Sequence, residues 1–208
     1  MEALWLFAVG IDAVRDIFRA DDPLAAHLRG VAATRFPSRA VPAPGMLSRL
    51  GPLFRRQRAT EVDPSQPLAG DVDAMLAGGF IAPDRSGACW RLLLAWLEDV
   101  GRAAHRLEFD DIDDLEFDLA RAGLPSQYSL RSLAGRPLGI PLQPLRGQVV
   151  GYCKHVQAVE TLHALHRLTE TTSSEFASVL TRTIGIQEAL RAVVIDPALD
   201  LVVIEEPA

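Results

Sequence analysis

The stretch Ala3-Leu-Trp-Leu-Phe-Ala-Val9 decides the fold of this 208-residue chain, together with Leu199-Asp-Leu-Val-Val-Ile204 near its other end. Each run is too short for the core of a helix and is rich in residues that favour strands, and Gly10 ends the first run. Both runs are apolar at almost every position, which is typical of strands buried on both faces. Neither has a hairpin partner close by in sequence, so we expect Leu4–Val9 and Leu199–Ile204 to pair with each other.

Most of the chain between these two strands has helical periodicity. The strongest apolar stripe runs from Trp90 through Leu97 to Ala104 and predicts a central, largely buried helix. A further short strand is predicted at Val149–Tyr152. Because strands and helices do not alternate regularly, the predicted fold class is α+β, with a mostly helical body and a small sheet that includes the N-terminal and C-terminal strands.

Composition predicts a single globular domain over residues 1–208, because 49% of the residues are hydrophobic and 23% are charged. A Pro-rich basic excursion at about residues 37–69 interrupts the helical pattern, and loops of this length are usually functional or mobile. One interpretation is a docking site for an acidic partner; the other is a solvated loop. The candidate partner-binding residues are Arg49, Phe54, Arg55, Arg56 and Arg58.

Charge and targeting features exclude several classes of protein. The formal net charge of −6 argues against a nucleic-acid partner. The N-terminal apolar run follows Glu2 rather than a basic segment, and no other apolar run has the length of a membrane span, so neither secretion nor membrane insertion is predicted. Cys89 and Cys153 are far apart in sequence, as expected for buried thiols of a cytoplasmic protein.

Two groups of ionisable residues share some features with known metal sites. The acidic run at residues 110–118 lacks the spacing of a calcium loop, and its carboxylates are explained by the dipole of a helix that begins there. One predicted helix carries His155, Glu160, His163, His166 and Glu170. A di-iron site requires a second Glu-x-x-His motif and two further glutamates, which the sequence lacks. We therefore predict no metal site and no cofactor, and the sequence has no standard nucleophile or phosphate-loop motif.

The chain also contains the stretches Ile81-Ala-Pro-Asp-Arg-Ser-Gly-Ala-Cys-Trp-Arg-Leu-Leu93, Leu115-Glu-Phe-Asp-Leu-Ala-Arg-Ala-Gly-Leu-Pro125 and Pro137-Leu-Gly-Ile-Pro-Leu142, the last followed by Val150-Gly-Tyr152. With the Leu-Val-Val strand at the C-terminus, they resemble an actinobacterial domain-of-unknown-function family of stand-alone soluble proteins. The resemblance implies a cytoplasmic protein with an N-terminal strand and a helix-rich body. It implies no activity and no catalytic residue.

These observations favour a non-catalytic protein-binding module, such as an adaptor, a regulator or an immunity-like neutralising protein. The alternative is a small-molecule enzyme or ligand-binding protein with a pocket between the central helix and the histidine-bearing helix. Tyr152, His155 and His166 would be the polar groups of that pocket. A closed interface beside His155 would favour the first hypothesis, and a deep pocket there would favour the second.

Overall fold

The structure is a computed structural model that describes residues 1–37, 65–171 and 177–207. In chain order its strands and helices are β1 (Glu2–Val9), α1 (Ile11–Arg15), α2 (Asp22–Arg35), α3 (Ala69–Ala77), α4 (Ser86–Val100), β2 (Ala103–Phe109), α5 (Ile112–Arg121), α6 (Leu130–Leu133), β3 (Val149–Cys153), α7 (His155–Thr171), α8 (Ala177–Arg182), α9 (Ile184–Val194) and β4 (Asp200–Glu206). None of the helices in these ranges combines the length and the apolar character needed to cross a membrane.

The strands form one four-stranded antiparallel sheet in the order β2–β1–β4–β3. β1 and β4 occupy the centre of the sheet, and their register aligns Leu6 with Val203 and Ala3 with Glu206. The predicted pairing of the two terminal strands is therefore confirmed. The predicted α+β class, with a mostly helical body around a small sheet, is confirmed with it.

Helices cover both faces of the central strands, which gives the protein three layers. Phe7 and Val202 point to the face that α2, α3 and α4 cover. Leu6 and Val203 point to the face that α5, α7 and α9 cover. Successive residues of a strand point to opposite faces, so a strand covered on both sides is apolar at every position. As a consequence, α4 and α7 lie on opposite sides of the sheet.

The central helix α4 is buried, as its apolar stripe predicts. Its two largest side chains, Trp90 and Trp96, are almost fully buried, and each donates its indole N–H to a backbone carbonyl. The acceptors are the oxygens of Gln143, at 2.8 Å, and Ala13, at 3.1 Å. A buried tryptophan needs such a partner for its one polar group, so these bonds fix the position of α4 against α1 and the loop before β3.

The predicted extension of the α4 stripe to Ala104 is wrong, because α4 ends at Val100 and β2 follows. Gly101 is in the extended conformation with ψ of 139°. A Cβ atom at this position would lie 2.6 Å from the carbonyl oxygen of Leu97. The chain therefore leaves the helix at a residue where only glycine fits the close approach of the last turn.

A buried ion pair connects the start of α3 with the turn before α4. Arg85 donates from Nε and Nη2 to the two carboxylate oxygens of Asp71, at 2.9 and 2.5 Å, and the backbone N–H of Leu68 donates to the same carboxylate at 2.7 Å. Burial alone raises the pKa of the Asp71 carboxyl, but these hydrogen bonds outweigh burial and hold the pKa below its ordinary value. Asp71 is therefore ionised at neutral pH.

Candidate functional site

Tyr152, a predicted ligand-binding residue, lies in β3 with its ring in the core on the α4 side of the sheet. The guanidinium carbon of Arg15 and the Nζ atom of Lys154 each lie 5.4 Å from the centre of this ring, which is within cation–π distance. Arg15 also donates from Nη2 to the tyrosine hydroxyl oxygen, at 3.5 Å, and from Nε to the carbonyl oxygen of Leu138, at 2.6 Å. These contacts hold Tyr152 as a packing residue between α1 and the sheet.

His155 and His166, the other two predicted ligand-binding residues, lie on α7, on the opposite side of the sheet from the ring of Tyr152. His155 begins the helix, and its buried Nδ1 atom has no hydrogen-bond partner among the described residues. The Nε2 atom of His166 lies 3.2 Å from Nη2 of Arg191 in α9. At about 1.5 Å per residue, α7 separates the two histidines by about 16 Å. The structure therefore does not bring Tyr152, His155 and His166 together in one pocket.

The predicted partner-binding residues of the basic excursion lie outside the described residues. They are Arg49, Phe54, Arg55, Arg56 and Arg58. Their role as a docking segment stays a prediction.

Helix α7 also carries one copy of the Glu-x-x-His pattern that di-iron proteins use in pairs. Glu160 and His163 are exposed, and His166 faces Arg191. Within residues 1–37, 65–171 and 177–207, no group of three or more His, Cys, Asp or Glu side chains is arranged to hold a metal ion.

The two cysteines are buried, as the sequence predicts. Burial raises the pKa of Cys89 to about 11 and that of Cys153 to about 12. The carboxylates of Asp71 and Asp200 add to the increase at the first and the second thiol, respectively. Because only the thiolate is an effective nucleophile, both side chains act as apolar packing groups at neutral pH.

A cleft of about 410 Å³ opens beside the first turns of α7. It is lined by Gln127, Tyr128, Arg136, Lys154, Val156, Gln157 and Glu160. Lys154 is paired with Asp200 at 3.1 Å, whereas the guanidinium of Arg136 makes no hydrogen bond or ion pair with the described part of the chain. An unpaired guanidinium is a good hydrogen-bonding partner for a carboxylate or a phosphate, so this cleft could accommodate a small anion.

The chain itself pairs with the outer edge of β3 at Tyr152. The backbone N–H of Arg136 donates to the carbonyl oxygen of Tyr152 at 3.2 Å, and the N–H of Tyr152 donates to the oxygen of Arg136 at 2.9 Å. The crossing segment lies so close that a Cβ atom on Gly151 would be 2.0 Å from the carbonyl oxygen of Ala134. A glycine inside a strand often marks such a close backbone approach. The edge of β3 is therefore already paired at Tyr152 within the molecule.

The outer edge of β2, at the opposite end of the sheet, is uncovered in the part of the chain that the structure describes. The strand order places β2 beside β1 alone, and no described backbone group bridges to its outer side. Alternate residues of an edge strand direct their N–H and C=O groups away from the neighbouring strand. β2 therefore presents a seven-residue edge that can accept another strand.

A groove of about 760 Å³ runs along the edge of β2. It is lined by Arg106, Leu107, Glu108, Phe109, Asp110, Asp111, Asp114 and Arg182. The half-buried Leu107 packs against α9, where a Cβ atom on Gly185 would lie 2.4 Å from Cδ2 of the leucine. The beginning of α5 and the last residue of α8 form the walls of the groove.

Charge changes sign along β2. Arg106 and Glu108 lie on the exposed face and form an ion pair, and the guanidinium carbon of Arg106 lies 5.4 Å from the ring centre of Trp5. Towards the C-terminal end, the carboxylates of Asp110 and Asp114 make no hydrogen bond or ion pair within the described chain. The strand is therefore basic before Leu107 and acidic after it.

β2 is not predicted from the sequence because the apolar stripe of α4 continues across its first residues. The signal that identifies the strand is a period of two. The more buried positions are Ala103, His105, Leu107 and Phe109, and the exposed positions between them are Ala104, Arg106 and Glu108. Such an alternation is typical of a strand with one covered face.

The stretches that resemble an actinobacterial family lie in α4, α5 and the loop before β3, where their apolar residues fill the core. The resemblance, and the cytoplasmic location that it implies, stay predictions. Comparison of this chain with protein-family models, with curated proteins and with solved structures finds no match.

Proposed function

We propose that this protein is a non-catalytic protein-binding module that receives an extended segment of its partner on the outer edge of β2. The observation that supports the proposal is the contrast between the two edges of the sheet. The chain pairs with the edge of β3 through Arg136, at Tyr152, whereas the edge of β2 is unpaired throughout in the described residues. Proteins ordinarily block strand edges that are not used, because an open edge pairs readily with other chains. An adaptor, a regulator or an immunity-like neutralising protein would each use such a surface.

Strand addition explains how this surface would combine affinity with specificity. Backbone hydrogen bonds along the added strand supply affinity, and side chains along the groove select the partner. At about 3.4 Å per residue, Ala103–Phe109 offers an edge about 24 Å long. Leu107 supplies an apolar contact on one face of that edge, and Arg106 and Glu108 supply charged contacts on the other.

The proposal includes a cytoplasmic location and a protein partner. Two buried cysteines without a disulfide suit a reducing compartment. A net charge of −6 favours a protein over a nucleic acid, whose binding depends on neutralising phosphates. The basic excursion is proposed as a second, separate docking segment for an acidic partner.

The test combines peptide selection with amide hydrogen exchange. Peptides are selected from a random display library on the immobilised full chain, and exchange is then measured with and without the selected peptide. We expect the bound peptide to slow exchange within Ala103–Phe109 and to leave exchange at Tyr152 unchanged, because the N–H of Tyr152 already donates to Arg136. Selected peptides that leave exchange in β2 unchanged would contradict the proposal.

Two proline variants provide a matched control. Backbone N–H groups alternate in direction along β2, so Arg106 and Leu107 direct theirs to opposite sides of the strand. Arg106→Pro and Leu107→Pro therefore each remove one donor, one of them from the free edge and the other from the ladder with β1. The variant that keeps the higher melting temperature is the edge variant, since proline is tolerated at sheet edges. We expect that variant to lose peptide binding, and wild-type binding by it would count against strand addition.

A small-molecule-binding function is the second candidate, and the cleft beside α7 is the observation that favours it. The cleft is lined by Arg136, whose guanidinium makes no hydrogen bond or ion pair with the described residues, and by Lys154. Titration with inorganic phosphate, followed by NMR, tests this candidate. It predicts chemical-shift changes at Lys154–Gln157 that an Arg136→Gln variant does not show. Identical spectra with and without phosphate would count against an anion site in this cleft.

A further inference from the structure

We infer that the partner on the edge of β2 is a second copy of this chain, and that the two β2 strands pair in antiparallel orientation about a twofold axis at Leu107. The inference rests on the proposed function, because it names the occupant of the same edge. Closed twofold dimers use the same surface patch on both subunits, so the patch must be complementary to itself. The backbone and the charges of β2 both meet this requirement.

Backbone geometry restricts where the axis can lie. Directly opposite residues in an antiparallel pair either both point their N–H and C=O groups at each other or both point them away. Along β2 this direction alternates from one residue to the next. A residue can therefore oppose only a residue that is an even number of positions away in the sequence. It follows that the twofold axis passes through a residue and never between two residues, whichever set of amides faces outward.

Charge then selects Leu107 among the possible axes. An axis at Arg106 or at Glu108 would place two like charges directly opposite each other, which destabilises a sheet. An axis at His105 would place Arg106 opposite Ala104, without a charged pair in the strands. An axis at Leu107 places Arg106 opposite Glu108 of the second copy, and symmetry repeats the pair. These two side chains lie on the same exposed face and already attract each other within one chain.

The other face of the joined strands would bury apolar surface. Leu107 would contact its symmetry mate, and His105 would oppose Phe109. Leu107 is only half-buried in the single chain, so the pairing would cover the side that remains exposed. The overlap from His105 to Phe109 is as long as the ladder that β3, over Val149–Cys153, forms with β4 in the same sheet.

Outside the paired residues, the acidic end of each β2 strand also lies near the basic end of the other. Antiparallel pairing brings the acidic end of each β2 strand towards the basic end of the other. The acidic end carries Asp110 and Asp114, which have no partners in the described chain. The basic end follows Arg102, an exposed residue whose nearest carboxylate, that of Asp196, is 3.9 Å away. Each end of the interface therefore brings oppositely charged side chains of the two copies together.

Analytical ultracentrifugation of the full chain with charge-reversal variants tests this inference. We expect the wild-type mass to rise from that of one chain to that of two as the concentration increases from the micromolar to the near-millimolar range. Arg106→Glu and Glu108→Arg should each weaken the dimer about tenfold or more, because both symmetry-related pairs then become repulsive. Arg146→Glu and Glu160→Arg change the net charge equally outside β2 and should leave the dimer unchanged.

The pairing of Arg106 with Glu108 also predicts two results that a general effect of net charge would not produce. An equimolar mixture of the Arg106→Glu and Glu108→Arg chains should form a heterodimer, because every cross-strand pair then joins opposite charges. The double variant Arg106→Glu/Glu108→Arg should dimerise like the wild type for the same reason. Circular dichroism melting of each variant confirms that the fold is intact.

Three results would overturn the inference. They are a wild-type chain that stays monomeric throughout, a dimer that the single reversals do not weaken, and single reversals that neither the mixture nor the double variant rescues. If the wild type is monomeric but selected peptides still protect β2 from exchange, self-pairing is wrong and the proposed function stands. If neither a second copy nor any selected peptide protects β2, both are wrong.

Discussion

Replacement of Gly151 by alanine tests whether the segment Ala134–Arg136 packs against β3 as described. A Cβ atom at Gly151 would lie 2.0 Å from the carbonyl oxygen of Ala134, 2.6 Å from the carbonyl carbon of the same residue and 2.8 Å from the carbonyl oxygen of Arg136. All three atoms belong to the backbone, so no side-chain rotation can relieve the overlap. The crossing segment must move away from β3.

The size of the effect follows from the bonds that this movement breaks. The segment and β3 exchange two backbone hydrogen bonds, between Arg136 and Tyr152. Each such bond contributes about 1 kcal/mol to stability, and a buried N–H group left without a partner costs about 1–3 kcal/mol more. We therefore expect Gly151→Ala to lower the free energy of unfolding by about 2–4 kcal/mol.

Urea denaturation of the wild type, Gly151→Ala and a matched glycine variant measures this difference. Gly30 lies within α2, and a Cβ atom there would meet nothing within 4 Å. Gly30→Ala should therefore stabilise the protein by up to about 1 kcal/mol through its higher helix propensity. A Gly151→Ala variant within about 0.5 kcal/mol of the wild type, the usual range of surface substitutions, would refute the reasoning.

Four further predictions concern ionisable groups. Arg85→Met should lower the free energy of unfolding by about 3 kcal/mol because it leaves the Asp71 carboxylate buried without its partner. Because folding lowers the pKa of Asp71, the ion pair contributes its full stability above the ordinary carboxyl pKa, and this stability is lost as the pH falls through the pKa of the folded state. The free energy of unfolding of Asp71→Asn, measured against pH, should not show this loss. Cys89 and Cys153 should react with a thiol reagent only in denaturant at neutral pH, and rapid reaction of the native chain would contradict their raised pKa values. Burial and the neighbouring carboxylate of Glu2 raise the pKa of Glu205, so the ionised side chain destabilises the fold at neutral pH. Glu205→Gln should therefore raise the melting temperature at neutral pH. The variant should also lack the gain in stability that the wild type shows as the pH falls through the raised pKa.

The central strands could be predicted from the sequence because their signal is local. β1 and β4 are covered on both faces, so Ala3–Val9 and Leu201–Ile204 are apolar throughout and no helical pattern competes. Trp90 and Trp96 likewise mark α4 as buried, since such large side chains gain most from a covered face. In these elements, the apolar residues whose pattern predicts the strand or helix are the same residues that form the core.

β2 was missed because two patterns compete where it begins. Ala103 and Ala104 continue the apolar stripe of α4 and have high helix propensity, and the alternation that identifies a strand begins only after them. Its place at the edge is a property of the strand order, which depends on contacts between distant parts of the chain. No local pattern contains that information.

The candidate ligand residues were separated for a similar reason. Tyr152 and His155 are close in sequence, which suggests that they face one pocket. Tyr152 belongs to a strand, however, and its ring points to the α4 side, whereas Cys153 points to the α7 side. His155 then begins a helix on that second side, so the sheet lies between the two side chains.

Amide hydrogen exchange of the wild-type chain at increasing protein concentration tests the central claim most directly. In dilute solution, alternate amides of β2 should exchange rapidly, while the amide of Tyr152, which donates to Arg136, should be protected. As the concentration rises, the rapidly exchanging amides between His105 and Phe109 should become protected, and the amide of Tyr152 should not change. Uniform protection of β2 in the dilute chain would contradict an open edge, and rapid exchange that persists at every concentration would contradict its pairing with a second copy.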